Sequence, residues 1–169
     1  MRTLVVDGYN VLAASPRYRR LADNDLESAR AALVRDVVTF AQGGYRAVVV
    51  FDGASNPHSD GAPHHVPGAV VVFSAYGVDA DTVIEALVHR HRERGEEAVV
   101  VTSDAQTQWT VLGPGVSRMS AAEFVSDLEP ETDAWREHNP SGSTRQTLDS
   151  RIDPAVRATL TKWARGSET

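Results

Sequence analysis

Four aspartates stand where a polypeptide could assemble an acidic site. Asp7, Asp52 and Asp104 each close an apolar or small-residue run, in Val5-Val6-Asp7, Val50-Phe51-Asp52 and Thr102-Ser103-Asp104, and Asp81 opens an amphipathic stretch. Runs of this kind are buried parallel strands, whose carboxyl ends share one edge where ligands bind. A helix that follows such a strand starts from the same edge, so the four carboxylates are expected to converge. Left together in one crevice they would repel, and some would take up protons. A divalent cation removes that conflict. Oxygen ligands without His or Cys in the pattern select Mg²⁺ or Mn²⁺ over zinc, as one ion or as two. Any single Asp after a strand is ordinarily a turn former or a cap, and Asp79 or Asp81 could simply cap its helix. The conjunction is what points to metal.

The elements that must position these acids alternate along the chain. Thr3 to Val6, Ala47 to Phe51, Ala69 to Phe73, Ala98 to Thr102 and Val116 to Met119 read as strands. Leu26, Ala29, Leu33, Val37, Phe40 and Ala41 recur at helical spacing, which predicts a helix over 25–42, opened by an Asn24/Glu27 capping box and stopped by Gly43-Gly44. Val83, Ile84, Leu87 and Val88 share one face of a helix over 79–94. A short helix is expected over 106–112, and Ser120 with Glu123 opens another, running to Leu128. Residues 54–68 are too rich in Pro, Gly and His to read as an element. The expectation is an α/β, three-layer fold with a central parallel sheet of four to five strands flanked by helices over 1–128. Residues 129–169 read as an acidic and polar linker, followed by a helical arm that Asp153-Pro154 starts.

Composition removes several alternatives. The 169 residues contain no Cys, which excludes disulfide scaffolds, thiolate metal sites and cysteine nucleophiles. A net charge of −6 argues against non-specific coating of nucleic acid. No apolar run approaches the roughly 20 residues of a membrane span. The first residues read as a strand and not as a signal peptide, so a cytoplasmic protein is expected. No phosphate-binding GxxxxGK[ST] loop, GxGxxG turn or GxSxG elbow is present. His58, His64 and His65 fit no metal spacing, and His89 and His91 are expected at the surface.

In order, VVDGYNVL, VVVFDG, DADTVIEALV and VVVTSDAQTQ resemble the YacP-like NYN domain, a family of the PIN-like nuclease superfamily; the likeness covers about residues 3–125 and leaves the arm outside. The resemblance implies a metal-dependent endoribonuclease, in a group that includes a ribosome-associated enzyme cutting mRNA in the ribosomal A site. It implies Asp7 as a metal ligand and Asn10 as lining the catalytic site, with Asp81, Asp52 and Asp104 on the family's other acids. The chemistry of phosphodiester hydrolysis then assigns Asp7 and Asp81 the essential ligation and Asp52 and Asp104 supporting or water-mediated ligation. Thr102, Ser103, Asp79 and Glu85 fall beside these, and Gln108 fits a Gln found after the Thr-Ser-Asp. Asn10 and Ser103 could hold a phosphate oxygen or the attacking water. Glu85, one turn beyond Asp81, either orients a water at the metal or is a surface acid. The division of labour between Asp79 and Asp81 stays open, since Asp79 adds a carboxylate to the family's pattern.

Arg17, Arg19 and Arg20, with Tyr18 among them, read as either an RNA-binding patch of phosphate and stacking contacts or as ordinary surface charge. The expected partner is RNA, mRNA in particular, with the ribosome as a docking partner and no membrane. Two other readings compete: a catalytically inactive RNA- or ribosome-binding module of the same fold, and a nuclease on structured DNA.

Overall fold

A computed structural model describes residues 1–103 and 113–128. Asp104, the helix expected over 106–112 and all of 129–169 lie outside the described residues. The elements run β1 (Arg2–Asp7), α1 (Gly8–Ala14), α2 (Pro16–Asn24), α3 (Leu26–Ala41), β2 (Tyr45–Phe51), β3 (Pro63–Val66), β4 (Ala69–Phe73), α4 (Ala80–Glu93), β5 (Ala98–Val101) and β6 (Val116–Met119). A last helix, α5, covers 121–128. The strands form one six-stranded sheet in the order β3-β4-β2-β1-β5-β6. All pairings are parallel except β3 with β4.

The five parallel strands are the expected ones, in the expected α/β arrangement of a central sheet flanked by helices. Three details differ from the sequence reading. Pro63–Val66 adds a sixth, antiparallel edge strand inside the stretch read as featureless. It pairs through its backbone and needs no apolar run of its own. Two helices, α1 and α2, fill the segment after β1, which carries too little apolar periodicity to announce them. Finally, α3 is capped by Asp25, which accepts from Glu27 N at 3.1 Å and Ser28 Oγ at 2.6 Å, while Asn24 ends α2.

Two cores lie on the two faces of the sheet, sorted by strand alternation. Leu4, Val6, Val49, Phe51, Val71, Phe73 and Val101 pack under α1–α3 and α5. Val5, Val48, Val50, Val72 and Val100 pack under Ala80, Ile84 and Val88 of α4. Right-handed crossovers require this split, because the chain leaves β1 toward β2 but leaves β4 back across β1 to β5. The reversal falls between β1 and β5, so the carboxyl end of β1 sits at the topological switch point.

Candidate active site at the carboxyl edge of the sheet

Alternation fixes where the edge residues point. Asp7, Asp52 and Thr102 follow Val5, Val50 and Val100 by two positions, so their side chains fall on the α4 face. Asp7 is buried, at 4% exposure. It caps α1, accepting from Asn10 N at 3.2 Å, and the Asn10 side-chain amide donates to its other oxygen. The Thr102 hydroxyl also bonds to it. Burial raises the Asp7 pKa above the ordinary carboxylate value, the Asn10 bonds oppose the rise, and the charge of Asp81 adds to it. Asp81 occupies the first turn of α4, where the helix dipole favours an anion. The structure therefore brings together Asp7, Asn10, Asp81 and Thr102. Among the described residues Asp7 has no cationic partner.

The remaining expected residues are placed differently. Asp52 is exposed at the end of β2; one oxygen accepts from Ala54 N at 2.9 Å and the other from Ala80 N at 3.2 Å, tying β2 to the start of α4. Asp79 is the helix cap, accepting from Thr82 N at 2.8 Å and Thr82 Oγ1 at 2.6 Å, and those bonds hold its pKa below the usual carboxylate value. That separates Asp79 from Asp81 in role. Glu85 is half-buried one turn along α4. Ser103 falls on the opposite face, where its hydroxyl accepts from Ala121 N at 3.1 Å and anchors the start of α5. Asp104 and Gln108 lie outside the described residues.

The expected Arg17/Tyr18 contact with RNA is corrected. Tyr18 is 2% exposed, with its hydroxyl on Asp36 Oδ2 at 2.7 Å, so no base can stack on it. Arg17 donates to that same oxygen at 2.7 Å. Arg19 and Arg20 are exposed. His91 is also corrected, since it is buried against Glu96 at 2.6 Å.

The sequence reading passed over a second cluster at this edge, on the α1–α3 face. Arg30 of α3 donates through Nε to Tyr9 Oη at 3.1 Å and again through Nη2. Its guanidinium carbon lies 5.4 Å from the Tyr9 ring centre, 5.8 Å from Phe51 and 5.4 Å from Phe73. The available signal was an arginine three residues before the buried Leu33 and four before the buried Val34, on a stripe that should be apolar.

Among the described residues no three acidic or imidazole groups stand close enough to hold a metal by themselves. The donor set nonetheless suits a hard cation. The buried Asp7 carboxylate feels the charge of Asp81, and an amide and a hydroxyl, from Asn10 and Thr102, bond to it.

The fold is that of a PIN-like α/β domain. More narrowly, the chain belongs to the YacP-like NYN domain family, whose model matches residues 4–165. That span runs on to residue 165, beyond residue 125, where the motif resemblance was expected to end. YacP of Bacillus subtilis strain 168, described as uncharacterized, is 31% identical over 170 residues, which cover 98% of each chain. The crystal structure of Rae1 (YacP) from the same organism superposes with a TM-score of 0.62 at 28% identity, covering 98% of this chain and 96% of that one. A tryptophan-to-leucine variant of Rae1 gives 0.67 at 27% identity, over 95% and 98%.

Proposed function

We propose that this protein is a divalent-cation-dependent endoribonuclease that hydrolyses phosphodiester bonds in RNA, with mRNA presented on the ribosome as the substrate to test first. The observation that supports it most is the buried Asp7 carboxylate at the switch point, set against the charge of Asp81 and not against a cation. Burying a carboxylate beside a second one is costly unless something positive completes the site.

Asp7 and Asp81 would hold Mg²⁺ or Mn²⁺, with Asp104 as a third candidate and Asp52 contributing at the rim. Such an ion supplies a more acidic water and charge neutralisation at the phosphate. The chain's own groups do the positioning. The Asn10 amide and the Thr102 hydroxyl hold the Asp7 carboxylate in place. Asp52, bonded to Ala80 N, sets the start of α4 against β2 and thereby places Asp81. Glu85, one turn beyond Asp81 on α4, would orient the attacking water.

The test is cleavage of end-labelled single-stranded RNA and of ribosome-bound mRNA with Mg²⁺ or Mn²⁺, comparing wild type with Asp81→Asn. Cleavage lost in the variant and in chelator is expected. If neither RNA is cut and the ions produce no heat of binding, the inactive docking module replaces this reading. Preferential cutting of structured DNA would replace the substrate class.

A further inference from the structure

The arginines near this edge divide into committed and uncommitted ones. Arg17 is paired with Asp36 at 2.7 Å, and Arg35 reaches the same carboxylate at 3.5 Å. Arg30, half-buried, has no carboxylate partner among the described residues. Its positive charge rests on the faces of three aromatic rings and on one phenol oxygen. A guanidinium has five N–H donors in a rigid fork. Two go to Tyr9 Oη, and the other three have no protein acceptor among the described residues.

The residues that hold this cation tie it to the carboxyl edge. Phe51 immediately precedes Asp52, Phe51 pairs with Phe73 across β2 and β4, and Tyr9 lies two residues after Asp7. The rings are themselves fixed, Phe51 stacking on Phe73 at 5.3 Å and meeting Tyr9 edge-on at 5.4 Å. Gly8 keeps the cage closed, because a Cβ there would lie 2.3 Å from the Phe51 ring. An arginine immobilised in this way has given up its rotamer freedom before any ligand arrives. A guanidinium that stacks on rings keeps the planar fork that matches a phosphate bidentately.

We propose that Arg30 is a phosphate subsite for the RNA strand. It receives a phosphodiester flanking the one at Asp7 and Asp81, across the sheet edge from the carboxylates. Tyr9 is its positioning residue. The subsite explains how a chain of net charge −6 engages a polyanion at an acidic edge: the cation is placed singly and rigidly, not as a basic surface. The inference rests on RNA being the substrate and assigns Arg30 to holding the strand, leaving the chemistry to the acids.

The experiment measures binding of a short labelled single-stranded RNA to the Asp81→Asn protein as a function of salt, with and without Arg30→Gln. Expected are a loss of affinity of about tenfold or more, as for a charge-assisted hydrogen bond, and a salt slope shallower by about 0.7, one phosphate contact on a single strand. Arg30→Lys should restore the slope but only part of the affinity. Tyr9→Phe, which keeps the charge and frees the fork, should weaken binding with the slope unchanged. In otherwise wild-type protein Arg30→Gln should raise KM more than it lowers kcat. Arg94→Gln, at the far end of α4, is the control and should change neither.

Unchanged affinity and slope in Arg30→Gln overturn the subsite, whatever its melting temperature, since a purely structural arginine would move only the latter. No measurable RNA binding by the parent protein overturns it too. The two readings fail separately. Wild type that binds RNA through Arg30 but never cuts it sinks the nuclease, while cleavage with KM indifferent to Arg30 sinks the subsite.

Discussion

The two ends of the sheet handle charge in opposite ways. At the amino end, charges are completed within the chain: Arg2 meets Glu97 at 2.5 Å and His91 meets Glu96 at 2.6 Å, beside the turn that carries α4 into β5. At the carboxyl end, Asp7 is buried against the charge of a second acid, and Arg30 is boxed by rings with no acid beside it among the described residues. The two groups lie on opposite faces of the same edge, so they do not neutralise each other. On the proposed reading, holding them apart would leave one subsite for a cation and another for an anion. An edge that is only architecture closes its charges internally, whereas a binding edge leaves them for the ligand to close.

Breaking the carboxyl edge should therefore cost activity before stability. Asp81→Asn is expected to reduce RNA cleavage by more than about a hundredfold, the upper range for groups that merely orient metal ligands, with the melting temperature nearly unchanged. Asn10→Ala and Thr102→Val, which remove the partners of Asp7, should each cost about 10–100-fold in cleavage or in Mn²⁺ affinity by calorimetry. Full activity in either would show that Asp7 needs no orienting. Gly8→Ala tests the other face. Its Cβ would meet a Phe51 ring already packed on Phe73, costing about 1–3 kcal/mol of stability and several degrees in melting temperature. Because the cage holds Arg30, RNA affinity should fall with it.

Much of this edge was legible because buried parallel strands write themselves as continuous Val runs. Four such runs, each closed or followed by a polar residue, locate the sheet and its carboxyl edge, while Val116–Met119, with a single Val, is the fifth parallel strand. Alternation alone puts Asp7, Asp52 and Thr102 on one face and Ser103 on the other. It cannot say which acid is spent on a cap, because Asp79 and Asp81 are both reasonable first-turn acids until the Thr82 bonds are seen. Pro63–Val66 was illegible for a different reason, as an edge strand needs only backbone pairing. Arg30 was hardest. Its meaning depends on Tyr9, Phe51 and Phe73, three elements that no local spacing brings together. The Arg17/Tyr18 pair misled in the opposite direction, since an aromatic among arginines looks like a stacking surface until the ring is found buried on Asp36.

The smallest effect separates two acids of the same edge by sign. Asp79 has its pKa lowered by the Thr82 hydroxyl and backbone N–H, so it stabilises the fold above its ordinary value of 3.8, and that contribution is lost as pH falls through the folded-state value. Asp79→Ala should cost about 1 kcal/mol at neutral pH, as for a lost helix cap, while Asp79→Asn, still a cap, should cost less. Neither should alter cleavage much. Asp7 has its pKa raised by burial, so the folded protein binds its proton more tightly than the unfolded chain does. Its contribution is favourable in acid and is lost as pH rises through the folded-state value. In chelator, Asp7→Asn should therefore melt above wild type at neutral pH, and the gap should close toward acid. Added Mn²⁺ should shrink the neutral gap by stabilising wild type alone, through binding to the folded state. Were Asp7→Asn instead to melt below wild type in chelator at neutral pH, Asp7 would be a structural acid like Asp79, and the contrast between the two ends of the sheet would lose its main support.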